Sequence, residues 1–264
     1  MLIFTTDKQR LLEHFRKDPV LFAYHIGDLD DFHFPLCQWG ATYGQSPRID
    51  DVLLLYSGLE TPTLLAFGLT DKFPGLLRDF MAVAPPRFHC HFQSQYRDLL
   101  GQYGDLSPLG SHLKMRLNTE RFAALRPQAS HDDHGVHRLH VSHEVDLRRL
   151  YSEAYPDNYF AGRMLQSGRY LGYMEQGRLV AVAGIHVISE EHKVAVLGNI
   201  TTHPDRRGQG LATMLTYRLL KDLVGEGMLV CLNVKADNVP AITCYEKLGF
   251  EQVHRYEEAM IVLR

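Results

Sequence analysis

The sequence predicts an α/β (α+β) protein, a mixed and mostly antiparallel sheet with helices packed on its faces. Three observations predict it. In the second half, three β-like runs follow one another as a meander and give way to strand–helix–strand alternation, an order that places antiparallel and parallel pairs in one sheet. The clearest helical segment carries its apolar residues on one face, as a helix laid on a sheet does. A chain of 264 residues that is 45% hydrophobic and 22% charged has ordinary globular composition. At roughly 100–200 residues per domain it makes one large domain or two small ones.

In chain order, Asp7 can cap a helix carrying Leu11, Leu12 and Phe15, which Asp18-Pro19 interrupts. A second short helix is expected near Leu21–Ile26. Trp39–Asp50 is rich in Gly, Ser and Pro and reads as loop. Strands follow at Val52–Tyr56 and Thr63–Phe67, joined as a hairpin through Ser57–Pro62. A helix over Pro74–Val83, a strand at Arg87–Phe92, a helix near Tyr96–Tyr103 and a strand at His112–Leu117 complete this half. Between Arg126 and His137 the chain is polar, with one Pro and one Gly and no apolar period. A domain boundary is expected there, giving domains over 1–125 and 138–264. The histidines of this stretch have no metal-ligand spacing, so it reads as a solvated linker.

The second half continues with a helix near Val145–Ala154 and strands at Tyr170–Met174, Leu179–Ile185 and Val194–Thr202. After Gly210 comes a helix with Ala212, Leu215, Leu219 and Leu223 on one face, ended by Gly225 and Gly227. A strand at Met228–Val234, a helix at Val239–Leu248 and a last strand near Tyr256–Val262 close the chain.

Charge and cysteine usage narrow the function classes. Twenty-eight Lys and Arg stand against thirty-one Asp and Glu, a formal charge of −3. That balance lacks the basic footprint of a general nucleic-acid binder, while leaving room for a local pocket for a small anion. Charge arrives too early at the N-terminus for a signal peptide, and no apolar run approaches the roughly 18 residues of a membrane span. Four scattered cysteines (Cys37, Cys90, Cys231, Cys244) form neither a disulfide framework nor a zinc knuckle. The expectation is a reduced, cytoplasmic protein that engages neither nucleic acid nor membrane; its oligomeric state is left open.

The chemistry concentrates at Ile200–Ala212. A strand passes through Pro204 into Arg207-Gly208-Gln209-Gly210-Leu211-Ala212 at a helix start. Glycines there let the backbone curl so that several N–H groups converge, and the first helical turn adds its own unpaired donors. Arg206 and Arg207 add positive charge, so a diphosphate is the natural guest. The Walker pattern is absent, and Thr213 stands where the dinucleotide pattern needs its third Gly or Ala.

Downstream lies Asn233-Val234-Lys235-Ala236-Asp237-Asn238-Val239-Pro240-Ala241-Ile242-Thr243-Cys244-Tyr245-Glu246-Lys247-Leu248-Gly249-Phe250. Together with Arg207, Gly210 and Ala212 at the spacing of a phosphate loop, this resembles the GCN5-related N-acetyltransferase (GNAT) superfamily over roughly Leu139–Arg264. The resemblance implies the acyl-CoA N-acyltransferase fold and acetyl or short-acyl transfer from coenzyme A to a primary amine, by direct attack in a ternary complex without a metal. It implies a bulge that splays the strand before the loop, with the Ile200 amide polarising the thioester carbonyl and Thr202 backbone binding the pantetheine arm. The alternative is an unbroken buried strand over Asn199–Thr202. Residues Arg207–Ala212 would hold the diphosphate. Tyr245 would protonate the departing thiolate, its alternative being a purely aromatic core role. Asn238 caps its helix and, by the resemblance, touches the cofactor.

Glu153, His186, Asn199 and His203 are candidates for the general base, beside a water chain from bulk. Asn233 is a candidate for orienting substrate. Cys244 adjoins Tyr245, but helical neighbours point about 100° apart, so it reads as core and not as an acyl carrier. The acceptor would be a small-molecule or peptide amine. Competing functions are a non-catalytic acyl-CoA sensor and an aminoacyl-tRNA-dependent transferase of the same fold. The first half repeats the element order but lacks the glycine loop, having only Asp71-Lys72-Phe73-Pro74-Gly75 near the corresponding place. It is expected to be a second, smaller, degenerate GNAT-like half, or an unrelated α+β cap, that shapes the acceptor pocket. Phe32, His33, Phe34 and Trp39 are either packing residues or part of that lining.

Overall fold

The computed structural model describes residues 1–44, 48–125, 135–156 and 158–264. Two compact units divide the contacts, one of Met1–Lys114, Val234–Asp237 and Val253–Arg264, the other of Met115–Asn233 and Asn238–Gln252. The linear cut at 125 and 138 differs from this division in three segments, 115–125, Val234–Asp237 and Val253–Arg264. The expected linker falls mostly in 126–134, outside the described residues.

The first unit runs β1 (Ile3–Thr5), α1 (Lys8–Phe15), α2 (Ala23–Gly27), β2 (Cys37–Tyr43), β3 (Ile49–Tyr56), β4 (Thr63–Ala66), α3 (Phe73–Met81), β5 (Arg87–Phe92), α4 (Arg97–Gly101) and β6 (Gly104–Leu117). Asp7 caps α1 as expected, its carboxylate accepting the Arg10 N–H at 3.1 Å. Strands β1 to β4 pair antiparallel in sequence, β4 pairs parallel with β5, and the core closes under α3 and α4 around Leu64, Phe73, Phe80 and Phe92. The loop expected at Trp39–Asp50 is a correction: β2 and the start of β3 occupy most of it. Trp39 and Ala41 are buried. A Cβ on Gly40 would lie 2.7 Å from Leu2 and 3.0 Å from Leu53, so this glycine serves close packing and not a turn.

The second unit runs α5 (Thr119–Ala124), β7 (Val136–Leu139), α6 (Glu144–Ala154), β8 (Tyr170–Glu175), β9 (Arg178–Ser189), β10 (Val194–Thr202), α7 (Leu211–Gly225), β11 (Leu229–Lys235) and α8 (Val239–Lys247), and β12 (Phe250–Leu263) passes from it into the first unit at Val253. Its strands lie in the order β11-β10-β9-β8-β7, antiparallel except for the parallel β10–β11 pair. α7 faces the sheet with Leu211, Leu215, Leu219, Leu220 and Leu223. α6 contributes Leu147, Leu150 and Tyr151 to a core with Tyr170 and Val182.

Two of the reassigned segments have plain causes. β12 pairs antiparallel with β5 from Glu257↔Phe92 to Val262↔Arg87, so the chain's last strand completes the first unit's sheet. Asn118 N–H donates to the Gly249 carbonyl at 2.9 Å and Phe122 meets Tyr217 at a 5.2 Å ring separation, which joins α5 to the second unit. No helix among the described residues is long and apolar enough to cross a membrane.

Candidate active site

The end of β10 is irregular in two ways at once. Its ladder with β9 runs from Gly198↔Gly184 to Thr201↔Val182, so β10 takes one residue more than its neighbour. Its parallel ladder with β11 spans Val194↔Leu229 to Leu197↔Leu232 and ends there, although both strands continue. Asn199 and Ile200 therefore stand outside both ladders. The unbroken-strand alternative fails: a bulge interrupts β10 where Asn199 adopts φ 55.

Beyond the bulge, Thr202 leads through the short turn Pro204–Arg206 to the glycine loop. Gly208 and Gly210 both sit at φ 77, a conformation that a side chain penalises. Gly210 is the N-cap of α7, which has no side-chain cap bond, so the opening turn of this 15-residue helix keeps the unpaired donors of an anion seat. Arg207, Gly208, Gln209 and Gly210 are exposed, Leu211 is buried and Ala212 half-buried. The two arginines are engaged elsewhere. Arg206 Nε meets Glu175 Oε2 at 2.6 Å, and Arg207 donates to the carbonyls of Thr202 and Ala154, each at 3.2 Å. Arg207 thus ties the loop to the strand end and to the C-terminus of α6, and the main chain offers the anion donors.

Tyr245 is buried on α8, its ring 5.9 Å from Phe250. Burial pushes its phenol up, with Cys244 and Tyr155 acting in the same direction, so it is a protonated acid at neutral pH. Cys244 Sγ lies 3.1 Å from Thr213 Oγ1, facing α7 as a packing residue. Asn238 caps α8 through Oδ1, which accepts the Ala241 N–H at 3.2 Å.

The base candidates separate. Glu153, Arg178 and His203 form one polar cluster, with Glu153 2.7 Å from Arg178 and 3.3 Å from His203. The Arg178 hydrogen bond holds the Glu153 carboxyl below the usual range. The His186 ring covers Gly198, where a Cβ would come within 2.3 Å of it. Asn199 spends Nδ2 on the Tyr170 hydroxyl at 3.0 Å, which gives it a structural use. Sequence reasoning missed Tyr151, Tyr155 and Tyr170; the only sign of them was an aromatic density around Pro156 that has no fixed spacing.

Three buried polar atoms on β10 and β11 have no hydrogen-bond partner among the described residues: Thr202 Oγ1, Asn199 Oδ1 and Asn233 Nδ2. Groups of this kind can take a partner from water or from a bound molecule. No group of His, Cys, Asp and Glu that could hold a metal occurs among the described residues.

The known proteins that this chain resembles are acetyltransferases. Residues 136–250 match the Acetyltransferase (GNAT) family. The [ribosomal protein bS18]-alanine N-acetyltransferase of Escherichia coli K12 is 37% identical over 90 residues, 33% of this chain and 59% of that protein. The mycothiol acetyltransferase of Mycolicibacterium smegmatis is 33% identical over 115 residues, 42% of this chain and 35% of that protein. The chain therefore spans less than two thirds of the length of either curated relative. A tandem GNAT protein from the clavulanic acid biosynthesis pathway shares the fold at a TM-score of 0.60 and 16% identity, covering 98% of both chains. Residues 136–250 of this chain are a domain of the acetyltransferase (GNAT) family.

Proposed function

We propose that the chain transfers an acetyl group from acetyl-CoA to the primary amine of a small molecule or peptide. One observation carries the reading: a bulge frees backbone between two parallel strands immediately before a two-glycine loop that opens an uncapped helix. Acetyl-CoA supplies the activated acyl thioester. The backbone N–H groups of Gly208–Ala212 hold its diphosphate, with Gly208 and Gly210 keeping the approach clear of side chains. Thr202 and Asn233 receive the pantetheine amides, and Asn238 stands at the edge of the same cradle. The Ile200 N–H donates to the thioester carbonyl as negative charge builds on its oxygen, a contact worth on the order of 3 kcal/mol in the transition state. The acceptor nitrogen forms the new C–N bond as C–S breaks and gives up a proton to a water chain leading to bulk, while Tyr245 gives its hydroxyl proton to the departing sulfur and is reprotonated from water. The named relative that acetylates a ribosomal-protein alanine favours a peptide amine among the acceptors.

The first half, in this proposal, is a GNAT-like unit that no longer binds coenzyme A. Its parallel pair β4–β5 stays in register to the last residue of β4, Ala66↔Phe92, which supports a closed gap. The crossover that follows is already filled. Asp51 accepts the N–H groups of Leu69 at 2.8 Å and Thr70 at 3.2 Å, together with the Thr70 hydroxyl. Gln93 takes the Gly68 N–H at 2.9 Å. An internal carboxylate holds the donors that an anion would need.

The test is thiol release from acetyl-CoA against a panel of amines and alanine-terminated peptides, with calorimetric stoichiometry. Turnover on an amine with one acetyl-CoA bound per chain is expected. Tight binding without turnover on any amine would give the function to a sensor, and salt-dependent retention of aminoacyl-tRNA would give it to the tRNA-dependent class.

A further inference from the structure

The geometry points to Tyr151 as a positioning residue for acyl transfer, acting with Asn199 and Tyr170 as a strap that aims the Ile200 amide. This inference rests on the acetyl-transfer reading above. The peptide linking Asn199 to Ile200 is planar and trans, so its C=O and N–H point in opposite directions along one rigid unit. Whatever fixes the Asn199 carbonyl therefore fixes the direction of the Ile200 N–H. The Tyr151 hydroxyl, reaching from α6, donates to that carbonyl at 2.9 Å.

The side chain of the bulged residue is held as well. Asn199 Nδ2 donates to the Tyr170 hydroxyl at 3.0 Å, and that hydroxyl donates to the Ile185 carbonyl at 3.0 Å. Ile185 lies on β9 opposite Leu197, so the bulge is tied back to the strand beside it. Such anchoring answers a real problem. A left-handed φ at a non-glycine residue costs free energy, and Asn pays less of it than most. Without fixed partners a bulge can shift along its strand and swing the neighbouring peptide plane. Tyr151 and Tyr170 are 2% and 0% exposed. Burial pushes both phenols up, which keeps their hydroxyls protonated as donors. A donor on the Asn199 carbonyl also polarises the peptide, strengthening the Ile200 N–H as a donor on its other side.

The test compares wild type with Tyr151→Phe, which keeps the ring and removes the hydroxyl. Coenzyme A and acetyl-CoA share every contact except those to the acetyl group, so their affinity ratio isolates the amide. The carbonyl stretch of bound 13C-labelled acetyl-CoA reads that contact directly. In wild type it should fall below the frequency of free acetyl-CoA, and in Tyr151→Phe most of the fall should vanish. Turnover should drop about tenfold, less than the 10²–10³ of losing such a donor outright, with coenzyme A affinity unchanged within twofold. Asn199→Gly, which accepts the left-handed φ, should retain more turnover than Asn199→Ala, and this pair serves if Tyr151→Phe does not fold. A Tyr151→Phe protein with wild-type frequency and turnover overturns the strap, as does Asn199→Ala matching Asn199→Gly. A wild type that does not bind acetyl-CoA, or binds it without a shifted carbonyl, overturns the acetyl-transfer geometry and the strap with it.

Discussion

Replacing Gly210 with Glu separates backbone from charge at the anion seat. Gly210 caps α7 at φ 77, where any L side chain costs about 1 kcal/mol or more of stability. Gly210→Ala measures that part alone. Glu adds a carboxylate beside the N–H groups of the helix start. Two unit charges 4 Å apart repel by about 4 kcal/mol at an effective dielectric near 20 and by about 1 kcal/mol in bulk water. Because the loop is exposed, about 2 kcal/mol is the working figure, roughly 30-fold in Kd. Calorimetry with acetyl-CoA should show Gly210→Glu about 30-fold weaker than Gly210→Ala at low salt, the two converging as salt screens the charges. Equal affinity for the two variants at low salt would refute the placement of the diphosphate.

Other perturbations address the acid, the filled crossover and the acid sensitivity of the first unit. Tyr245→Phe should lower turnover about 100-fold while acetyl-CoA affinity stays within twofold; a turnover within twofold of wild type would hand the proton to water. Asp51→Ala strands two backbone N–H groups and a hydroxyl, so the urea midpoint should fall by the equivalent of about 3 kcal/mol with acetyl-CoA stoichiometry still one; an unchanged midpoint would remove Asp51 from its role. Burial, with Lys17 nearby, lowers the His14 pKa from 6.5 to about 4. The folded state therefore binds this proton less tightly than the unfolded chain, and stability is full above pH 6.5 and lost as pH falls toward 4, by about 3 kcal/mol. His14→Gln should flatten the fall in melting temperature across that window, leaving the same-signed contribution of buried His25.

Much of this architecture was legible because local chemistry and tertiary packing agree. β5 and β10 have the bounds their apolar runs predict, and Asp7 and Asn238 cap the helices they precede. The Trp39–Asp50 region was misread because Gly40 supports a close approach of side chains from distant parts of the chain, which composition reports as a turn. The membership of β12 was hidden for a related reason: its alternation describes a strand, while its partner β5 lies about 165 residues earlier in the chain, with Phe92 opposite Glu257. At the candidate site, the loop glycines and Tyr245 stand out by their spacing. Tyr151 and Tyr170 do not, since their hydroxyls act on carbonyls of other strands. Arg207 was legible as a motif position but not in its geometry, because its guanidinium spans backbone of α6 and β10.

The three unpartnered atoms on β10 and β11 lead to a prediction that separates the two units. An unsatisfied buried donor or acceptor costs about 1–3 kcal/mol, so Thr202, Asn199 and Asn233 make the end of β10 and its gap locally weak. At Gly68–Thr70 the corresponding N–H groups are already bonded to Gln93 and Asp51. A ligand that fills the gap should stabilise the state in which it is bound by about 2.7 kcal/mol at 100 times its Kd. Amide hydrogen exchange with saturating acetyl-CoA should therefore slow at Ile200–Ala212 by up to about 100-fold, while Gly68–Thr70 exchange as before. Equal slowing at both crossovers would mean that the first unit binds the same ligand, and Asp51 would then be a displaceable occupant of a second site.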